Sequence, residues 1–291
     1  MKKNRESGII SVYAELIKVR LSLAVTFSAV TGYFISHNYI EIRFFFLVAG
    51  VFLLACGASV VNQYSEIRYD SLMRRTMERP LPREEISPKS ALSFAVCLFC
   101  FGLVSLLLAG AVPLCLGILN VILYNIVYTK LKRVTPWAIL PGALVGAIPP
   151  LIGFEVAGGG AHGSEIVLFS GFMFFWQLPH FWLILLKYHK EYEAAGFVTF
   201  SRFASENQIR WLVFIWVLFT TILLLFFSLA GLLFNRQITT FFIPLNIAFI
   251  LVFYYLLFRK SYMKEFRGAF FLINFFNLAI MILFIINSFL S

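Results

Sequence analysis

A helix needs about 20 mainly apolar residues to cross the hydrocarbon core of a bilayer. Nine segments of this chain meet or approach that length: roughly 21–37, 43–61, 91–109, 112–129, 137–155, 166–186, 209–232, 239–258 and 268–290. In lipid every backbone N–H and C=O must be satisfied internally, so such runs read as helices. A chain that is 60% hydrophobic and 13% charged exceeds what a soluble domain of 291 residues needs for its core. The expected fold is an all-α integral membrane protein, a bundle of about nine transmembrane helices. The first run follows a basic start, but no small-x-small cleavage site precedes His37, so it reads as a retained span. With no internal repeat and no low-complexity stretch, residues 1–291 read as one membrane domain.

The net charge of +10 raises nucleic acid as a partner until the positions of the charges are considered. Lys and Arg bracket the apolar runs instead of clustering on a face. With the N-terminus in the cytoplasm, only Arg43 and Arg236 of the 24 basic residues fall in outer segments. The remainder, from Lys2, Lys3, Arg5, Lys18 and Arg20 to Arg259, Lys260, Lys264 and Arg267, fall in inner ones, as the positive-inside rule requires. Miscounting one span would scramble that separation. Cys56, Cys97, Cys100 and Cys115 lie inside apolar runs and read as small apolar packing residues. The Cys97-x-x-Cys100 pair has no polar neighbours to stabilise a thiolate. The outer stretch from Ala157 to Ala161 reads as a flexible loop, with His162 beside it exposed; no phosphate-cradling helix follows it.

The end of span two reads VVNQYSEIRYDSLMRRTMERPLP, which sets Asn62, Glu66 and Asp70 at successive steps of four. On an α-helix each such step turns about 40° and rises about 6 Å, so the three side chains form one stripe. Ionisable groups at the edge of a membrane are costly and point to function. Two acids and an amide at that spacing suit Mg²⁺, which takes one or two carboxylates and completes its shell with water and phosphate oxygens. Arg74, Arg75 and Arg79 follow, with planar forks able to hold a diphosphate. Arg68 and Arg83 read as solvated charges of the inner loop.

At the end of span six, Lys187 and Glu191 stand four apart. Either they form an i,i+4 salt bridge, or they face the first stripe across a shared cavity, with Glu191 on a second Mg²⁺ and Lys187 on diphosphate. Tyr128 and Lys132 repeat the four-residue spacing at the inner end of span four. His180, beside Phe181 and Trp182, reads on the residues alone as a histidine bonded to a neighbouring helix.

These motifs resemble the UbiA-type intramembrane prenyltransferases, and within them the heme O synthase branch, from about Tyr13 to about Phe197. AELIKVRLSL is similar to the start of the family's first span, with Val19 where proline is usual. Asn62-x3-Glu66-x3-Asp70, with Met73, Arg75-Thr76 and Arg79-Pro80-Leu81-Pro82, resembles the first acidic motif. The stretch YTKLKRVTPWAILPGALVGAIPPLIGF and Pro179-His180-Phe181-Trp182 leading to Lys187 and Glu191-Tyr192 resemble the heme branch rather than the quinone branch. Glu191 replaces the usual Asp of the second motif. After Gly196, Phe-Val-Thr-Phe-Ser replaces the usual Ile-Pro-Met-Leu-Pro.

The resemblance implies that Asn62, Glu66, Asp70 and Glu191 hold Mg²⁺ and diphosphate. It further implies that Arg75, Arg79, Tyr128, Lys132 and Lys187 meet the diphosphate, that farnesyl diphosphate and protoheme IX are the substrates, and that His180 is the candidate axial contact for the heme. It implies a multi-pass protein of the bacterial cell inner membrane, with its site facing the cytoplasm and a heme-modifying enzyme or oxidase assembly downstream. Two rival readings are a relative acting on a quinone precursor or other aromatic acceptor, and a transporter or non-catalytic heme-handling membrane protein. A transporter is expected to show repeats or broken midplane helices, whereas the acids here gather at one face.

Overall fold

The computed structural model describes residues 8–159, 163–259 and 265–290. His162, Lys2, Lys3, Arg5, Lys260 and Lys264 and the end of the outer Gly-rich loop lie outside them. A short surface helix, α1 (Ile9–Leu16), precedes nine helices long and apolar enough to span a membrane. These are α2 (Val19–Ser36), α3 (Ile42–Asp70), α4 (Pro88–Ala109), α5 (Ala111–Leu131), α6 (Pro136–Val156), α7 (Ser164–Ala194), α8 (Glu206–Leu229), α9 (Arg236–Phe258) and α10 (Phe266–Leu290). No strand occurs among the described residues. The expected all-helical, nine-span architecture is the one observed.

The helices pack as a closed ring in chain order, with α10 returning to α2. Apart from 71–87 and 195–205 the described connections are short, and α4 and α5 turn on Gly110 alone, whose φ of 151° is open to glycine. α6 lies against α2, α5 and α7 and closes the centre of the ring. The α2–α6 contact is backbone to backbone. A Cβ on Gly32 would enter the carbonyl of Pro150, and one on Gly153 that of Ala29. Small residues permit such an approach where no hydrophobic driving force draws helices together in lipid. The far half of the ring is filled by rings from α7, α9 and α10, among them Trp176 against Phe276 at 5.4 Å and Phe249 against Phe276 at 3.9 Å.

Two helices outlast the bilayer. α3 runs for 29 residues and α7 for 31, or about 43 and 47 Å against a hydrocarbon core of about 30 Å. Both project from the same end of the bundle, the end at which α2 and α6 begin and α5 stops. The polar motifs are therefore presented on continuous helix rather than on loops, and this end carries the site.

Candidate active site

Asn62, Glu66 and Asp70 occupy one face of α3 and are buried to 3%, 4% and 0% exposure. Carboxylates are rarely buried without partners, and each stripe residue has one from a different part of the chain. Lys18, at the start of α2, donates from Nζ to Asn62 Oδ1 at 3.1 Å. Lys132, beyond α5, pairs with Glu66 Oε1 at 2.5 Å. Arg79, in the segment after α3, donates from Nη1 to Asp70 Oδ2 at 2.6 Å. The orientation of the Asn62 amide follows from its neighbours. Thr129 donates its hydroxyl to Tyr124 O at 2.8 Å, so it accepts from Asn62 Nδ2 at 3.3 Å, leaving Oδ1 toward Lys18. The three cations crowd one another. Burial first, then the charges of Arg79 and Lys132, push the Lys18 ammonium down to about 7.

α5 delivers its side chains through a π-helical turn at Leu123–Tyr128. Such a turn shifts the register of the residues that follow it, and often marks a functional site. Tyr124 and Tyr128 stack at 5.8 Å with an interplanar angle of 14°, and Tyr128 continues onto Phe181 at 5.9 Å. Lys132 Nζ lies 5.0 Å from the Tyr128 ring.

The two motif segments are fastened to each other. Glu191 Oε2 accepts the Arg75 backbone N–H at 3.0 Å, and Arg75 Nη2 donates to the Tyr192 hydroxyl at 2.8 Å. The Arg75 guanidinium also lies over the rings of Tyr188 and Tyr192, at 5.0 and 5.5 Å. Beneath them Met73, Ala195 and Phe197 pack together as a small apolar cluster.

Behind this polar rim lies a cavity of about 410 Å³. Its mouth holds Lys18, Asn62, Glu66, Asp70, Arg75, Arg79, Tyr128 and Lys132, and its apolar lining includes Val25, Leu54, Val121 and Val145. His180 is on its wall, with the Phe270 ring at 4.9 Å.

Of the residues singled out from sequence, Arg74, Lys187 and Glu191 do not line the cavity, and Arg74 is exposed. Lys187 is exposed, its ammonium 4.8 Å from the Tyr188 ring, and has no ion pair with Glu191; a long cationic stem at a helix end turns its head toward water. Glu191 sits at the rim on the Arg75 amide. Lys18, Gln63, Tyr124 and Thr129 belong to the site and carried no local signal, since Lys18 reads as one more positive-inside charge. The altered segment after Gly196 forms part of the wall through Val198, Thr199 and Phe200.

The donor set fits a hard cation. Among the described residues no three His, Cys, Asp or Glu side chains form a ready ligand cluster, whereas oxygens of Asn62, Glu66 and Asp70 share one face. Mg²⁺ needs no more than one or two carboxylates when phosphate oxygens supply the rest. Asp70 Oδ1 is buried without a hydrogen-bond partner among the described residues, an acceptor such an ion would satisfy.

The sequence model of the UbiA prenyltransferase family matches residues 25–279. The chain belongs to this family. A curated UbiA-family relative, the protoheme IX farnesyltransferase of Geobacter sulfurreducens, is 38% identical over 202 residues, which is 69% of this chain and 75% of that protein. The fold is likewise that of solved UbiA structures. A structure described as digeranylgeranylglyceryl phosphate synthase superposes with a TM-score of 0.76 at 17% identity, covering 97% of this chain and 99% of the other. A UbiA homologue from Archaeoglobus fulgidus, bound to GPP and Mg²⁺, superposes with a TM-score of 0.71 at 16% identity over 96% and 98% of the two chains.

Proposed function

We propose that this UbiA-family chain is a protoheme IX farnesyltransferase. It transfers the farnesyl group of farnesyl diphosphate to a vinyl group of protoheme IX, with addition of water, and yields heme O and diphosphate. The observation that carries this reading is an acid stripe laced with three cations at the mouth of an apolar cavity whose wall holds His180. The likeness to the Geobacter sulfurreducens protein supports the choice of acceptor.

Asn62, Glu66 and Asp70 would hold Mg²⁺, and Glu191 Oε1, the oxygen its Arg75 contact leaves over, is the further acid. The ion supplies Lewis-acid stabilisation of the departing diphosphate. Arg75, Arg79 and Lys132 neutralise diphosphate oxygens as the allylic C–O bond breaks, with Lys187 adding charge at the rim. Tyr128 orients Lys132 and lends the face of its ring to the allylic cation. The vinyl π pair of protoheme forms the new C–C bond, water adds to the carbon left electron-deficient beside the macrocycle, and a proton is released. The apolar depth keeps other water from the cation, and His180 offers heme an axial nitrogen.

We place residues 1–291 in one membrane domain with the N-terminus and the site on the cytoplasmic side, in a bacterial cell inner membrane. The charge asymmetry of the loops supports that orientation. A heme-modifying enzyme or oxidase assembly would take the product. The test is chromatography of pigment after incubating the purified chain with protoheme, farnesyl diphosphate and Mg²⁺, beside a quinone-precursor control. A more apolar heme that requires both farnesyl diphosphate and Mg²⁺ is the expected result. A prenylated control with unchanged heme moves the chain to the quinone-type acceptor.

A further inference from the structure

Lys18 occupies an unusual position. Its φ of 49° is left-handed, a conformation that L side chains rarely adopt, and it breaks the chain between α1 and α2. The break is held in place. Gln63, the residue after Asn62, is fully buried and donates from Nε2 to the carbonyls of Leu16 and Glu15, at 2.7 and 3.3 Å. Ser22, also buried, donates to the Ile17 carbonyl at 2.9 Å. Backbone strain persists where surrounding contacts over-determine it, and such sites cluster around function. Here the strained turn aims an ammonium at Asn62 Oδ1, while the amide nitrogen of Asn62 is held by Thr129.

Each polar group of the stripe thus carries its own cation, and an ion seeking all three must compete with three charges already in place. A diphosphate changes that competition, because it offers the same cations better acceptors. Resting on the reading of this cavity as a prenyl-diphosphate site, we propose that Lys18 is a positioning residue of that site. Its ammonium holds Asn62 Oδ1 until diphosphate arrives and then moves onto a diphosphate oxygen, so that metal and diphosphate bind as one unit.

The test uses the full chain in detergent with two probes: Mn²⁺ alone, followed by its paramagnetic resonance signal, and farnesyl thiolodiphosphate, measured by equilibrium binding with Mg²⁺ present. In Lys18→Met, Mn²⁺ alone is expected to bind about fivefold to tenfold more tightly, as Asn62 is released and a repelling charge removed. Farnesyl thiolodiphosphate is expected to bind about tenfold more weakly, with Lys18→Arg restoring most of the loss. A purely structural role cannot move the two affinities in opposite directions. Weakening of both in Lys18→Met, or no change in either, overturns the proposal. A wild-type chain that fails to bind the thiolodiphosphate overturns the prenyl-diphosphate reading beneath it, a failure seen before any variant is made.

Discussion

Glu191 Oε2 accepts the backbone N–H of Arg75 at 3.0 Å, joining the end of α7 to the segment after α3 across 116 residues of sequence. The longer reach of Glu compared with Asp is used here to hold a backbone rather than to line the cavity. Glu191→Gln keeps an acceptor for that N–H and removes the charge, so the loop is expected to stay in place while Mg²⁺ dependence shifts to higher concentration. Glu191→Ala loses the anchor as well, and a hydrogen bond to a charged group contributes about 1.5–3 kcal/mol. Turnover measured across a Mg²⁺ series should therefore fall by a further ~10-fold to 100-fold in kcat/KM for the alanine variant. Equal kinetics in the two variants would show that the anchor has no bearing on the reaction.

Asp70 is the most deeply buried acid of the stripe, with one oxygen on Arg79 and the other without a hydrogen-bond partner among the described residues. Asp70→Asn keeps the shape and an acceptor for Arg79, so the variant is expected to fold and insert. Removal of the charge should reduce turnover by about 100-fold or more. Normal turnover of this variant at limiting Mg²⁺ would remove Asp70 from the metal site.

The contact of α2 with α6 leaves no room for a side chain at Gly32 or Gly153. Gly32→Val is expected to cost about 1–3 kcal/mol through overpacking, read as a lower unfolding midpoint in detergent. Gly171→Ala, where the added carbon meets nothing within 4 Å, is the matched control and should unfold with the wild type.

His180 lies on the cavity wall beside the Phe270 ring. His180→Ala is expected to shift the Soret band of bound protoheme and weaken heme binding, while leaving farnesyl thiolodiphosphate binding within about twofold. An unchanged heme spectrum would return His180 to a packing role between α7 and α10.

The nine spans were legible because lipid demands long apolar runs, and the observed helices extend those runs mainly at polar ends. Steps of four found the Asn62, Glu66 and Asp70 stripe, which lies within α3, and the Tyr128–Lys132 pair, which spans the end of α5. The same spacing at Lys187 and Glu191 left two readings open, and both side chains stand outside the cavity lining, Glu191 on the Arg75 amide and Lys187 exposed. Lys18 and Gln63 escaped notice because their meaning depends on α1 turning back against α3, and no local pattern encodes that contact. The π-helical turn of α5 was equally invisible, since Leu123–Tyr128 is as apolar and helix-compatible as its surroundings.

The most direct test of the central claim is mass spectrometry of the pigment formed from protoheme, farnesyl diphosphate and Mg²⁺ in ¹⁸O-labelled water. The product expected is a heme heavier by one farnesyl group and one hydroxyl group, carrying the labelled oxygen and formed only with Mg²⁺ present. An unchanged heme, or a farnesylated product without labelled oxygen, would contradict it.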